Sequence, residues 1–345
     1  MDRQGAYEAT EALIVAVPET AGSTLYGMVD VLAATGTLWQ ELTGERPFPL
    51  IRPRIVGLDR NPFRCANGVP VEPELEIGQD PDAGIVILPD LWLAPDDDLR
   101  DRYGGLLEWI RRRYTAGSSI YAPCSGAVML AATGLLDGRE ATSHWGYEAL
   151  FRTRFPKVRF RPEPNIAFAD AGGRIVTAGG TTSWHDLALH IIARHASPGE
   201  ALRIAKVYLL KWHGEGQMPF TPLVRRQPHA DAAVRTAEEW LRANMRSENA
   251  VAGAAAACGI PERSLKRRFK QATGTTLIAY VQNLRIEEAK RLLETSAASA
   301  DEISAQVGYE NPAFFRSLFK RRTGLTPGQY RRMFRPVALA ADSGR

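Results

Sequence analysis

Cysteine is scarce in this sequence, and long apolar runs are absent. The three cysteines, Cys65, Cys124 and Cys258, are scattered over 345 residues, which excludes a disulfide framework and the paired ligand spacing of a zinc site. The apolar run near the N-terminus is too short for a signal peptide, and no stretch approaches the length of a membrane span. These absences predict a cytoplasmic protein with no membrane partner, no metal and no disulfide bond.

Glycine-rich nucleotide-binding loops are also missing, so we expect no cofactor. Positive charge is concentrated at one end of the chain: residues 231–345 hold 19 Lys and Arg against 12 Asp and Glu, and the remaining residues hold 24 against 27. A basic segment of this kind suits a polyanion such as nucleic acid. A solvated basic surface would have the same composition, so charge alone does not decide between the two.

Short runs rich in Ile and Val alternate with helical patterns in the N-terminal part of the chain. The runs lie at 12–17, 53–58, 84–89, 118–123 and 174–179, and helical patterns lie at 23–35, 99–116 and 181–195. Ser197 and Pro198 suit the start of one more helix. This order predicts a flavodoxin-like α/β domain with a doubly wound, mostly parallel sheet, whose ligands bind beyond the carboxyl ends of the strands.

The pattern changes after residue 212. Residues 213–230 contain glycines and prolines without an apolar period, which predicts a linker with few contacts. From residue 231 onward no strand pattern appears, so the second domain should be all helical. The predicted organisation is a domain at 1–212, a linker at 213–230 and a helical domain at 231–345.

Two segments of the helical domain repeat one plan. They are AVAGAAAACGIPERSLKRRFKQATG at 250–274 and ADEISAQVGYENPAFFRSLFKRRTG at 300–324. Each has a short helix, a turn opened by Gly259 or Gly308, and a second helix begun with Pro261 or Pro312. This is the helix-turn-helix plan, in which the second helix reads DNA. A connecting helix at 275–296, about 33 Å long, would place the two recognition helices in successive major grooves.

Residues from about 235 to 335 resemble the DNA-binding domain of the AraC family of bacterial transcription regulators. The resemblance rests on GIPERSLKRRFKQATG, RIEEAKRLLETS and VGYENPAFFRSLFKRRTGLTPGQYRR, of which the last is a very specific signature. It implies a sequence-specific regulator that binds double-stranded promoter DNA, with RNA polymerase as a further partner.

Helical spacing places three cations, Arg263, Lys266 and Arg267, on one face of the first recognition helix. Leu265 and Phe269 fall on the opposite, buried side. The family's base-reading positions map onto the three cations and, in the second copy, onto Pro312, Ala313, Arg316 and Ser317. The expected set of DNA contacts is completed by Arg268 and Lys320. We expect the first copy to supply most base readout and the second mainly to dock on phosphates.

The first copy departs from the family in its opening helix. That helix is nearly all Ala, and Gly253 lies within it, where such helices usually carry a larger apolar residue beside the position of Ala255. Glycine inside a helix costs about 0.5 to 1 kcal/mol relative to alanine. We therefore expect this copy to be loosely packed in the absence of DNA.

Residues 11–195 resemble the ThiJ/PfpI group of the class I glutamine amidotransferase-like fold. The resemblance rests on APCSGAVMLAATGLLDGREATSHW and RIVTAGGTTSWHDLALHII. In the first segment Cys124 ends a strand and precedes a helix, as many enzyme nucleophiles do. Two functions are therefore open: a regulator whose N-terminal domain senses a small molecule, or a Cys-dependent hydratase, hydrolase or deglycase fused to a DNA-binding module.

Two catalytic parts of such enzymes are missing from the sequence. The family's acidic position on the loop after the first strand is Thr24, and Asp90 with Leu91 stands where the enzymes tend to carry two glycines near the oxyanion. His144 is at a family position for a partner of the Cys124 thiol, which we expect to be partly ionised by this imidazole and by the helix N-terminus. The favoured interpretation assigns no catalytic residue.

The sequence therefore predicts a transcription regulator that responds to a small metabolite, with activation favoured over repression and the sign of regulation left open. The expected ligand-binding residues are Thr24, Asp90, Cys124, Ser125 and His144. The family resemblance implies that the effector is an amine, an amino acid or a derivative. We also expect the N-terminal domain to form a homodimer, since paired sites raise the affinity for DNA.

Overall fold

The computed structural model describes residues 8–93, 99–224 and 229–335. The parts of the predicted domains and linker at 1–7, 94–98, 225–228 and 336–345 lie outside the described residues. The chain divides into two compact units, with the boundary after Gln217. Each unit has its own hydrophobic cores and is described by itself.

The first unit is built on a seven-stranded sheet in the order β10-β11-β7-β6-β1-β2-β5. Its strands are β1 (Thr10–Val15), β2 (Ile51–Gly57), β5 (Leu75–Glu76), β6 (Ile85–Ile87), β7 (Ser119–Pro123), β10 (Ile166–Phe168) and β11 (Ile175–Ala178). The edge strand β10 pairs antiparallel with β11, and the other neighbouring strands are parallel. The five predicted strands are confirmed, as is the doubly wound, mostly parallel sheet.

Helices cover both faces of this sheet. They are α1 (Gly22–Ala33), α2 (Leu38–Thr43), α3 (Leu99–Ala116), α4 (Gly126–Ala132), α5 (Glu148–Arg154), α6 (Trp184–His195) and α7 (Pro198–Val207). Along β1, Leu13 and Val15 face one core while Ala12 and Ile14 face the other. Burial on both faces explains why the strands read as continuous apolar runs. The Ser197 side chain accepts the Glu200 N–H and caps α7, as predicted.

Two small strand pairs, which were not predicted from the sequence, stand apart from the main sheet. The strands β3 (Phe63–Arg64) and β4 (Pro70–Val71) form a hairpin, and β8 (Glu140–Ala141) pairs with β9 (Arg159–Phe160). In the hairpin turn, Asn67 and Gly68 have positive φ angles of 62° and 73°. An Asn-Gly pair is a strong signal for such a turn because both residues tolerate that conformation.

The described part of the second unit is all helical, as predicted. Its helices are α8 (Ala232–Asn244), α9 (Ala250–Ala257), α10 (Glu262–Thr273), α11 (Leu277–Thr295), α12 (Ala300–Gln306), α13 (Pro312–Thr323) and α14 (Pro327–Phe334). The pairs α9–α10 and α12–α13 are the two helix-turn-helix repeats. Their turns contain Gly259 and Gly308, both with positive φ. Among the described residues, no helix has the length and apolarity needed to cross a bilayer.

The connecting helix α11 is shorter than the sequence suggested. It spans 19 residues, from Leu277 to Thr295, which gives about 28 Å rather than about 33 Å. Thr276 precedes it as the cap residue and accepts the Ala279 N–H. The first recognition helix also begins one residue later than predicted, because Pro261 has an extended ψ and occupies the cap position.

The expectation that Gly253 loosens the first repeat is wrong. A β-carbon at Gly253 would lie 2.2 Å from Cη2 and 2.5 Å from Cζ2 of Trp240 on α8. The glycine therefore makes room for the indole ring, which packs against the core of the first repeat. The Trp240 ring occupies the space beside Gly253 that a larger side chain on α9 would otherwise fill.

The prediction of a contact-poor linker at 213–230 is also wrong in its described parts. The Oε1 atom of Gln217 accepts the N–H groups of Gly180 (2.8 Å) and Trp145 (3.2 Å), and its Nε2 donates to the Ser143 carbonyl (2.9 Å). In the second unit the Leu223 N–H donates to Glu287 at 2.7 Å. Hydrogen bonds, together with a few isolated apolar contacts such as that between the Phe220 and Phe334 rings, hold the segment in place without an apolar period.

Candidate functional site

A cavity of about 800 Å³ lies at the carboxyl edge of the sheet in the first unit. The strand order reverses between β1 and β6, and the loops that follow these two strands form two of its walls, as expected for this fold. The β3–β4 hairpin closes another side through Ala66, Asn67 and Val69. The cavity is therefore lined by six separate segments of the chain that meet at the predicted edge.

Cys124 follows β7 directly and faces this cavity. Its φ of 49° lies in the left-handed region that a β-carbon disfavours. The backbone is held there because the Cys124 N–H donates to the Ala178 carbonyl at 2.9 Å. Cys124 is buried, with 3% of the residue exposed, and its Sγ atom lies 3.9 Å from the Thr181 hydroxyl oxygen. The sharp turn that presents the thiol is thus present, as the sequence predicted.

The electrostatic environment of Cys124 opposes ionisation. Burial raises the pKa of the Cys124 thiol well above its usual range, and the nearby Asp90 carboxyl raises it further. The expectation of a partly ionised thiol is therefore wrong. The Nδ1 atom of His144 is directed at the Gly146 N–H rather than at the thiol, and it accepts a hydrogen bond from this group at 2.9 Å. The thiol is consequently protonated at neutral pH and a poor nucleophile.

The Asp90–Leu91 pair is held by a serine behind the cavity wall. The Leu91 N–H donates to Ser125 Oγ at 2.6 Å, and the Ser125 hydroxyl donates to the buried Asp90 carboxylate. The Leu91 amide is therefore already paired, whereas an oxyanion hole needs a donor aimed at the reacting atom. Asp90 also adds negative charge where an oxyanion would form.

The structure brings together three of the five predicted ligand-binding residues. Asp90, Cys124 and His144 line the cavity. Thr24 does not, because its side chain is fully buried inside α1 and Ser23 lines the cavity in its place. Ser125 does not either, since it is fully buried behind Asp90.

Two aromatic residues in the cavity were missed. Trp92 is 63% exposed and follows the predicted Asp90, and Tyr147 lies three residues after His144. Burial raises the pKa of Tyr147 to about 12, with further contributions from the charges of Cys124 and Asp90. Trp92 and Tyr147 could have been predicted as cavity residues because they lie close in sequence to Asp90 and His144. For the hairpin residue Asn67, the sequence offered only the Asn-Gly pair that indicates a turn.

The second unit presents a basic face on α10. Arg263, Lys266 and Arg267 are exposed, whereas Leu265 and Phe269 are fully buried. Lys266 forms an ion pair with Glu262 one turn earlier. The arrangement of the three cations on one face and the apolar residues on the other agrees with the helical spacing in the sequence.

Arg268 has a different partner from the one predicted. Its Nε and Nη2 donate to the two carboxylate oxygens of Asp231, at 2.8 and 2.7 Å. Asp231 is the cap residue of α8, where it also accepts the Val234 N–H. The Arg268 guanidinium lowers the pKa of Asp231. The Arg268 guanidinium is therefore directed at α8, and the structure does not support a DNA contact by this residue.

The second recognition helix, α13, begins at a strong cap. Asn311 Oδ1 accepts the N–H groups of Ala313 and Phe314, at 2.9 and 3.0 Å. The exposed residues of this helix include the predicted Ala313, Arg316, Ser317 and Lys320, and Pro312 is partly buried. Arg316 forms an ion pair with Asp301. Phe314, which is 46% exposed, was not among the predicted contacts.

Two families match separate parts of the chain. Residues 254–333 match the family described as a helix-turn-helix domain, and residues 35–194 match the DJ-1/PfpI family. The first range covers both recognition helices, and the second covers most of the first unit.

Curated relatives carry both parts. The chain is 32% identical over 228 residues to the HTH-type transcriptional regulator GlxA of Rhizobium meliloti, an alignment that covers 65% of this chain and 68% of the relative. It is 26% identical over 310 residues to the HTH-type transcriptional regulator CdhR of Pseudomonas aeruginosa, with 85% of each chain covered. Both relatives are named as regulators of transcription.

A solved structure shares the fold of the first unit. It is a Vibrio parahaemolyticus protein assigned as a transcriptional regulator, with a TM-score of 0.50 and 19% identity. The alignment covers 59% of this chain and 100% of that one. At this identity the likeness concerns the fold alone.

Proposed function

Since this chain belongs to the AraC-type helix-turn-helix transcriptional regulators that carry a DJ-1/PfpI domain, we propose that its N-terminal cavity binds the small effector that controls it. The observation that carries the proposal is a cavity of about 800 Å³ at the sheet's switch point, lined by a carboxylate, an imidazole and aromatic rings. Cavities of this volume hold metabolite-sized ligands.

The proposed effector is a small organic cation, such as an amine or an amino acid derivative. Asp90 supplies a carboxylate, and Trp92 and Tyr147 supply aromatic faces in the same cavity. A cation is attracted both by a carboxylate and by the electron-rich face of an aromatic ring. This chemistry agrees with the effector class that the family resemblance implied.

The bound effector would change how the two recognition helices engage promoter DNA. In this proposal the exposed cations of α10, Arg263, Lys266 and Arg267, read base edges, while Lys320 of α13 binds phosphate. The regulator acts in the cytoplasm as an activator, as a homodimer formed through its N-terminal unit and in contact with RNA polymerase. Two linked DNA-binding units would raise affinity through effective concentration.

Thermal unfolding of the full chain in the presence of amines and amino acids tests the cavity. We expect a rise in Tm with the true effector, and a smaller rise in Trp92→Ala, because the exposed ring is lost without disturbing the core. Trp212→Ala is the matched control, since Trp212 is 58% exposed and lies outside the cavity lining. An equal loss in both variants, or no shift with any compound, would contradict the proposal.

Catalysis by Cys124 is the second candidate function, favoured by the strained turn that presents the thiol. Against it stand the raised pKa of the thiol and the paired Leu91 amide. We propose that the chain performs no turnover. Incubation with amides, isocyanides and glyoxals checks this, and multiple turnovers that disappear in Cys124→Ser would establish an enzyme.

A further inference from the structure

The two helix-turn-helix repeats have separate hydrophobic cores that share α11. Val281 and Leu284 belong to the core of the first repeat, with Leu265 and Phe269. Two residues further on, Ile286 begins the core of the second repeat, which includes Phe315 and Phe319. The change from one core to the other therefore occurs at Arg285, in the middle of α11.

Arg285 bonds to a turn on each side of this border. Its Nε donates to the Met245 carbonyl at 2.7 Å and its Nη2 to the Ser247 carbonyl at 3.0 Å. These carbonyls lie between α8 and α9, where the chain enters the first repeat. On the other side, Nη1 donates to the Gly308 carbonyl at 2.9 Å, and the guanidinium lies 5.0 Å from the centre of the Tyr309 ring.

The two turns also approach each other closely. A β-carbon on Gly308 would lie 2.8 Å from the carbonyl oxygen of Arg246, so only glycine allows this backbone contact. The φ of Gly308 is 87°, a conformation that other residues rarely adopt. Glycine is thus required here on two grounds, and Arg285 bonds to the backbone immediately beside the contact.

We infer that Arg285 is a positioning residue that fixes the angle between the two repeats and thereby the spacing of half-sites that the protein reads. Each repeat buries its own core, so the orientation of one repeat relative to the other depends on what joins them. A guanidinium donates in several fixed directions at once, which a lysine ammonium on its flexible stem does not reproduce. Charge-assisted bonds to three carbonyls are also stronger than neutral ones. This inference goes beyond the regulatory function and does not depend on the effector.

The test compares DNA duplexes of different spacing. Duplexes are first selected from random sequence by the full chain, and probes are then made with one half-site scrambled or with one base pair inserted between the half-sites. For Arg285→Met we expect a loss of at least about tenfold on the selected duplex, with single half-site binding kept within about twofold. We also expect weaker discrimination against the inserted base pair.

Arg291→Met is the matched control on the same helix. Its side chain is 57% exposed and pairs with Glu288, so both affinities and the spacing preference should be unchanged. Gly308→Ala perturbs the same contact from the opposite side and should reproduce the Arg285→Met pattern. If Arg285→Met fails to fold, Arg285→Lys, which keeps the charge but donates from a single nitrogen, is measured by the same criteria.

Equal losses on the selected duplex and on the single half-site probe would overturn the inference, because they would mean that Arg285 supports one repeat or contacts DNA. Unchanged affinity on both probes would overturn it as well. A loss confined to the two-half-site duplex, together with a relaxed spacing preference, would establish it.

Discussion

At the scale of single residues, two neighbours on α10 have different surroundings: Arg267 is exposed, whereas Arg268 donates two hydrogen bonds to Asp231. The burial of Leu265 and Phe269 followed from helical spacing, and so did the exposure of Arg267. The raised pKa of Cys124 and the Asp231 partner of Arg268 did not, since the first comes from burial and the Asp90 carboxyl and the second from a distant segment. Spacing along one helix fixes which face a residue occupies, but not what meets it there.

Replacement of Arg267 with Ala tests base reading at this scale. We expect a loss of about 1–3 kcal/mol on the cognate duplex with a relaxed preference at one base position, because a bidentate contact to a base is removed. Lys320→Ala is the comparison, and it should weaken binding to all sequences alike. Binding isotherms at fixed salt measure both, and a uniform loss from Arg267→Ala would identify a phosphate contact.

At the scale of elements, long periodic segments were predictable and short ones were not. The five predicted strands of the seven-stranded sheet carry runs of Ile and Val that are buried on both faces, so composition alone identifies them. The β3–β4 hairpin has strands of two residues each, too short for an apolar alternation, yet it forms one wall of the cavity. The packing of α9 was predicted wrongly for another reason. Its Gly253 makes room for the Trp240 ring, which belongs to a neighbouring helix.

Gly253→Ala should destabilise the protein although alanine favours helix. The new β-carbon would displace the Trp240 ring, at a cost of about 1–3 kcal/mol, which exceeds the helical gain of about 0.5–1 kcal/mol. In a Trp240→Ala background the clash is gone, and the same substitution should stabilise. Urea unfolding of the four chains completes the cycle, and a rise in stability from Gly253→Ala alone would show that the indole moves freely.

At the scale of the whole molecule, the domain order was predictable, and the division after Gln217 falls within the predicted linker at 213–230. The change from an alternating to an all-helical pattern is visible in the sequence, but the segment between them reads as a linker because it lacks an apolar period. Its contacts in the second unit are both polar and apolar: Lys290 donates to the Thr221 carbonyl at 3.1 Å, Asn283 donates to the Leu223 carbonyl at 3.1 Å, and the ring centres of Phe220 and Phe334 lie 5.2 Å apart. A strap of this kind has no periodic signature.

The boundary makes a prediction about fragments. Residues 218–345 should unfold cooperatively and be more stable than residues 231–345 by about 1–3 kcal/mol, because removing the strap leaves the buried Lys290 without the Thr221 carbonyl. Both fragments should keep the same DNA sequence preference. Urea unfolding monitored by circular dichroism provides the comparison. Equal stability of the two fragments would place the start of the second domain at residue 231.

Gln217 has a consequence for the order in which the protein is made. As the last residue of the first unit, it bonds to the Ser143 carbonyl, 74 residues earlier in the chain. A ribosome adding roughly 5–20 residues per second needs about 4–15 seconds to travel that distance. Strands β10 and β11 are also made during this interval, and the amide that joins Ser143 to Gly180 is made last. The first unit therefore closes only as translation enters the DNA-binding unit.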